Sequence, residues 1–282
     1  MATNFDNSWQ ALFTPDETTK YFSTKYPKMQ LEFNKYNSIN AVWLAELSRL
    51  IYQKNSSIRY KALNSVQLQE TKFFNHSNTQ CNIVENENFA VLVFRGSHEI
   101  QDWLSNLSTI LTKWPQGGMV HWGFKQALEK VWDEVAEYLD TLQVPIFYTG
   151  HSLGAALATL AASKRPPAAI YTFGSPRVGD SHFAQSLIAV NMYRIVNHRD
   201  AITFTPPDEL FNFSHAGELH YITSDNKMLV NPSEKFIAKD RDSSVSKNVG
   251  DYRRWFDPPE NFADHTPINY VARLEHLLYS NY

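Results

Sequence analysis

Apolar residues recur along the chain in two alternating rhythms. Residues 40–53 (NAVWLAELSRLIYQ) place them at helical steps, with Val42, Ala45 and Ile51 predicted to face a core. Residues 89–94 (FAVLVF) are apolar without a break, which predicts a strand buried on both faces. Residues 126–140 predict an amphipathic helix lined by Leu128, Val131, Trp132, Val135 and Leu139. A short strand from Pro145 to Thr149, a Gly-bracketed turn and an Ala-rich helix from Leu153 to Ser163 follow, and Pro166-Pro167 ends that helix. The pattern then predicts a strand over 169–173, a turn (GSPRVGD), a helix from Ser181, a strand over 192–196 and a closing helix over 267–278. Strands alternating with helices predict an α/β fold with a mostly parallel central sheet covered on both faces. Residues 231–264 depart from this rhythm and read as a long polar surface excursion. The chain shows no repeat, low-complexity tract or linker, so residues 1–282 read as a single domain.

Composition narrows the function classes. With 43% hydrophobic and 20% charged residues, the chain has the balance of a globular protein rather than of a disordered or coiled-coil one. A net charge of −3, with no basic patch, supplies no bulk attraction to nucleic acid. The single cysteine, Cys81, rules out an intrachain disulfide and a cysteine-built zinc site, and is expected to be a buried, inert thiol. Histidines are dispersed rather than grouped at metal-ligand spacing, so neither metal nor cofactor is expected. The N-terminal residues have no basic start followed by an apolar run, and no stretch approaches the length of a spanning helix. On these grounds the expected location is cytoplasmic.

The chemistry centres on Gly150-His151-Ser152-Leu153-Gly154, between the strand IFYT and the helix LGAALATLAAS. A serine hydroxyl is a weak nucleophile until a base removes its proton. A sharp strand-to-helix turn lifts that hydroxyl above the sheet edge, and glycines two residues to either side remove side chains that would collide. The turn also points the first helical N–H groups at the reaction centre, where an anion would develop. The pentapeptide alone arises by chance in about one chain of this size in ten. Its place between a buried strand and a helix makes it informative.

Such a serine requires an acid and a histidine later in the chain. Six histidines follow it: His182, His198, His215, His220, His265 and His276. His276 reads as a surface residue, His182 lies in a first helical turn, and His198 lies too near Asp200 in sequence to meet it easily. His215 and His220 flank a strand or turn and remain open. His265 lies in a loop before the last helix, from which an imidazole can reach over the carboxyl edge of a sheet. Among acids, Asp200 ends a strand, where such sites are built. Asp180 reads better as a helix N-cap, and Asp264 is a poor partner for the residue beside it.

At this point several segments together resemble a known family: VLVFRGS (91–97), DW (102–103), VHWGF (120–124), GHSLGAALATL (150–160), YTFGSPRVGD (171–180), RIVNHRDAI (194–202), FSHAGE (213–218) and DHTPINY (264–270). The chain resembles the class 3 lipases, the fungal-type triacylglycerol lipases of the α/β-hydrolase fold. The resemblance implies Ser152 as nucleophile, Asp200 as triad acid and His265 as general base. It further implies Ser97 as the oxyanion residue, with its amide and that of Leu153 as donors. It implies a lipid or ester substrate met at a lipid–water interface. Secreted fungal members carry disulfides and a signal sequence, from which this chain departs.

Residues 98–114 bear on the substrate. Ile100, Trp103, Leu104, Leu107, Ile110, Leu111 and Trp114 recur at three- and four-residue steps, predicting an amphipathic helix beside the oxyanion segment. It reads either as a core helix or as a helical lid over the active site whose apolar face turns to lipid. The expected function is a serine hydrolase cleaving carboxylic esters of lipids. A phospholipase, galactolipase or soluble-ester esterase on the same triad is the alternative, and a non-catalytic lipid-binding relative belongs to a second class.

Overall fold

A computed structural model describes residues 3–18, 20–22, 26–97, 110–207, 212–245 and 260–280. Eight strands form one sheet: β1 (Gln69–His76), β2 (Thr79–Glu85), β3 (Ala90–Phe94), β6 (Ile146–His151), β7 (Ala169–Phe173), β9 (Met192–Asn197), β11 (Glu218–Ile222) and β12 (Met228–Val230), in that spatial order. The pairings from β3 through β6, β7 and β9 to β11 are parallel, and the outer pairings at both edges are antiparallel. A smaller antiparallel sheet contains β4 (Leu111–Lys113), β5 (Met119–His121), β8 (Gly179–Asp180) and β10 (Phe213–Ser214).

Alternation along the strands divides the core in two. Val91, Val93, Phe147, Tyr171, Phe173 and Ile195 turn to the face covered by the helices Ser38–Leu50 and Pro267–Ser280. Leu92, Phe94, Tyr148, Ile170 and Met192 turn to the other, covered by Trp122–Glu129, Trp132–Thr141 and Leu153–Lys164. This is the mostly parallel sheet with helices on both faces that the sequence predicts, and the α/β-hydrolase architecture. Val42, Ala45 and Ile51 are buried as expected. Cys81 is a free, buried thiol, and burial pushes its pKa up. Among the described residues, no helix is long and apolar enough to cross a membrane.

Three segments differ from their prediction. The helix expected over 126–140 is two helices, because Val131 leaves the helical well (φ −122°, ψ −14°) between them. Leu128, Val131, Trp132, Val135 and Leu139 are still all buried, so the apolar stripe survives the break. Of the segment read as a lid helix, residues 98–109 lie outside the described residues. Its last part is not helical: Leu111–Lys113 pairs with Met119–His121 as a strand, since the ladder satisfies its backbone. Trp114 is buried beside Phe183, and its Nε1 donates to Ser163 Oγ at 2.8 Å. The polar excursion of 231–264 contains the helix Glu234–Val245, started by Ser233, whose Oγ accepts from the Phe236 amide at 3.2 Å. Asp240 ties this helix to the sheet by accepting from Tyr221 Oη at 2.9 Å and from Ser224 Oγ at 2.7 Å.

Candidate active site

Ser152 sits on the bend between β6 and the helix Leu153–Lys164, with φ 59° and ψ −127°. Few residues other than glycine adopt that backbone. The bend is held because the Ser152 amide donates to the Phe173 carbonyl at 3.0 Å. The flanking glycines are sterically required. A Cβ on Gly150 would lie 2.3 Å from the Gly154 backbone, and one on Gly154 would lie 2.2 Å from the Phe94 carbonyl oxygen. The helix start is therefore pressed onto the end of β3, and Leu153 and Ser97 line one cavity of about 400 Å³ together with Arg95, Gln80, Lys130 and Leu157.

Asp200 begins the short 3-10 turn Ala201–Phe204 after β9, and its Oδ1 accepts from the Ile202 amide at 2.9 Å. His265 lies in the loop between the helices Glu260–Ala263 and Pro267–Ser280. Its Nδ1 is 2.9 and 2.8 Å from the two Asp200 carboxylate oxygens, and both side chains are fully buried. A carboxylate only accepts, so Nδ1 carries the hydrogen and Nε2 presents its lone pair. His265 Nε2 and Ser152 Oγ are buried and neither has a hydrogen-bond partner. Buried polar atoms seldom stay unpaired, and these two are the atoms that a proton transfer from serine to imidazole would join.

The remaining histidines are engaged elsewhere. His215 Nε2 donates to the Thr203 carbonyl at 2.8 Å. His220 meets Glu218 at 2.6 Å and stacks on Tyr36 at 3.9 Å. His198 pairs with Asp264 at 3.3 Å, which also explains why Asp264 turns away from its neighbour His265. His182 and His276 are exposed. Asp180 caps its helix by accepting from the Phe183 amide at 2.8 Å.

Three contributors escaped the sequence reading. Tyr270 Oη donates to Asp200 Oδ2 at 2.6 Å. Burial, then the adjacent Asp200 charge, push its pKa well above the ordinary phenol value, so the proton stays on the tyrosine. Gly174 (φ 60°) leaves room for the pair, since a Cβ there would lie 2.7 Å from Asp200 Oδ2 and 2.9 Å from His265 Nδ1. His151 packs its ring against that of His265, centroids 4.5 Å apart. All three stand in quoted segments (DHTPINY, YTFGSPRVGD, GHSLG), so proximity in the motifs was the available signal. Among the described residues, no three His, Cys, Asp or Glu side chains converge to hold a metal ion.

Residues 91–210 match the family described as Lipase (class 3). A lipase of Rhizomucor miehei is 36% identical over 160 residues, covering 50% of this chain and 44% of that protein. A secreted mono- and diacylglycerol lipase A of Penicillium cyclopium is 32% identical over 182 residues, covering 59% of each. The chain thus spans about half the length of these curated relatives. Among solved structures, the triacylglyceride lipase of Rhizomucor miehei superposes with a TM-score of 0.53 at 31% identity, over 58% of this chain and 70% of that one. The cytoplasmic expectation is corrected by these likenesses, because the Penicillium relative is named as secreted. That expectation rested on features the sequence was not seen to contain, a basic-then-apolar start and a spanning run, and the absence of such features does not fix a location. Shared segments, the sheet and the likeness to solved lipases lead to one statement: this chain belongs to the class 3 lipase family.

Proposed function

We propose that the protein is a serine hydrolase that cleaves the carboxylic esters of acylglycerol lipids. Ser152 Oγ attacks the ester carbonyl carbon while its proton passes to His265 Nε2. Asp200 holds the imidazole tautomer through Nδ1 and balances the imidazolium. The amides of Ser97 and Leu153 stabilise the tetrahedral oxyanion, a role worth about 10² to 10³ in rate per donor. The imidazolium then gives its proton to the departing alcohol, leaving an acyl-serine. A water molecule repeats the sequence, with His265 again as base, and frees the carboxylic acid.

The observation that carries this reading is the buried Asp200–His265 pair with Nε2 left unpartnered, reached by His151, the neighbour of a strained serine whose hydroxyl is also unpartnered. The names of the relatives favour acylglycerols as substrates. Exposed apolar side chains support contact with a lipid surface: Ile110 and Trp122, whose backbones bond at 2.9 Å, are 59% and 49% exposed.

A panel of tri-, di- and monoacylglycerols, phospholipids, galactolipids and short soluble esters, with a fluorophosphonate probe, tests the proposal. Acylglycerols should be preferred and the probe should label Ser152. Ser152→Ala should lower turnover by about 10⁶. Near-full esterase activity in that variant would end the assignment.

A further inference from the structure

His151 stands between Gly150 and Ser152, and both of its ring nitrogens are engaged. Nε2 lies 2.6 Å from the backbone carbonyl oxygen of His265, and Nδ1 lies 3.0 Å from Tyr52 Oη. A carbonyl can only accept, so Nε2 carries the hydrogen. Nδ1 is then the lone-pair nitrogen of a neutral ring, and Tyr52 donates to it. Burial, reinforced by the neighbouring His265, holds the His151 pKa well below its ordinary value, so the neutral ring and this polarity persist at working pH.

The other end of the contact is on the oxyanion side. The Tyr52 hydroxyl packs against Gly96, the residue before Ser97. The seating is tight, because a Cβ on Gly96 would lie 2.0 Å from that hydroxyl. The Arg95 guanidinium lies over the Tyr52 ring, 5.9 Å from its centroid. Tyr52 and His151 are almost completely buried, so water does not compete for these bonds.

We propose that Tyr52 and His151 are positioning residues for catalysis. One directed chain, from Tyr52, seated against Gly96, to His151, and from His151 to the His265 carbonyl, sets the base loop in register with the oxyanion segment. The inference rests on the roles proposed above for Ser152, His265 and Ser97.

The physical need follows from where His265 comes from. It is 114 residues beyond His151, on a loop between two helices. Among the described residues, its side chain hydrogen-bonds only to Asp200, and a single hydrogen-bonded tether lets an imidazole pivot about it. A second hold on the backbone of the same residue removes that freedom. Because the hold is anchored beside Ser97, base and oxyanion donors keep one spacing.

Three variants test the chain against mere space filling. Tyr52→Phe removes one oxygen. His151→Phe keeps a ring but no hydrogen bond. His151→Gln restores a donor and an acceptor. For each, the readouts are the rate of fluorophosphonate labelling, kcat and KM on a soluble short-chain ester, and the thermal midpoint. Tyr52→Phe should lower kcat and the labelling rate by about ten-fold, the worth of one buried hydrogen bond, with KM unchanged. His151→Phe should lower both by about 10², as expected for a misplaced base. His151→Gln should recover most of that loss.

Folded Tyr52→Phe that labels and turns over at the wild-type rate overturns the proposal. So does a loss confined to KM, or His151→Gln no better than His151→Phe. If His151→Phe does not fold, Tyr52→Phe alone decides. Wild-type protein that never labels removes the hydrolase reading and the chain with it, whereas a reactive wild type with unaffected variants removes the chain alone.

Discussion

Tyr270 Oη donates to Asp200 Oδ2 at 2.6 Å and accepts from the Asn197 amide at 3.1 Å. Among the described residues, Asp200 therefore receives three donors, from Tyr270, the Ile202 amide and His265 Nδ1, each from a different element. Tyr270 lies five residues after His265, so the segment that brings the base also brings a clamp for its acid. Tyr270→Phe keeps the ring and removes the clamp. It should lower kcat by about ten-fold and stability by about 1.5 to 3 kcal/mol, as for a hydrogen bond to a charged group. Steady-state kinetics and urea unfolding check both numbers, and a variant unchanged in both would show that the bond contributes nothing.

Ser152, the proposed nucleophile, sits on a strained bend. Its φ of 59° suits glycine, and its Oγ has no hydrogen bond to lose. Ser152→Gly should raise the free energy of unfolding by about 1 to 3 kcal/mol while abolishing turnover. Ser152→Ala retains the Cβ and should show much less gain. Equal urea midpoints for the two variants would locate no strain at this bend.

Gly174 is a steric requirement of the Asp200–His265 pair rather than of the elbow. A methyl group there would collide with both side chains, and φ is 60°. Gly174→Ala should cost about 10² in kcat through displacement of the imidazole. An alanine variant with wild-type turnover would place Gly174 outside the site.

Stability should fall on mild acidification. His151 is buried and resists protonation, chiefly through burial. The half-buried His215 does so as well, through burial and then the charges of Arg194 and Arg177. In the unfolded chain each takes up a proton near pH 6.5, so below that pH the unfolded state binds protons that the folded state refuses. Stability contributed by His151 is complete above about pH 7 and is lost at up to about 1.4 kcal/mol per unit as pH falls below 6.5. His215 acts in the same direction. Urea unfolding at pH 7 and pH 5 measures the slope, and His151→Gln should flatten it. An unchanged slope in that variant would mean that His151 does not carry the effect.

Much of the frame was legible because it rests on local pattern. The runs FAVLVF and AIYTF are β-branched and aromatic, and they became β3 and β7 within a residue of expectation. The hairpin of β1 and β2 was not legible, since QETKFFNH and TQCNIVE mix polar and apolar residues. Its turn uses Ser77 and Asn78 at φ 46° and 68° rather than the more telling Asn-Gly. The strand Leu111–Lys113 reads as helix in the sequence, because apolar residues at three- and four-residue steps do not distinguish a helix from a short strand followed by a buried tryptophan.

The sequence by itself determined the elements of the central sheet and the elbow at Ser152, since both depend on residues adjacent in the chain. It also narrowed acid and base to a few positions. Apart from the family resemblance, local pattern left the partners open, and the tertiary structure brings Asp200 and His265 together. Asp200 and His265 are 65 residues apart, and the choice of His265 over His215 and His220 depends on which side chains already have other acceptors. The clamp from Tyr270 and the hold through His151 have the same origin. A hydrogen bond across such separations is set by strand order and loop placement, and no local pattern encodes either one.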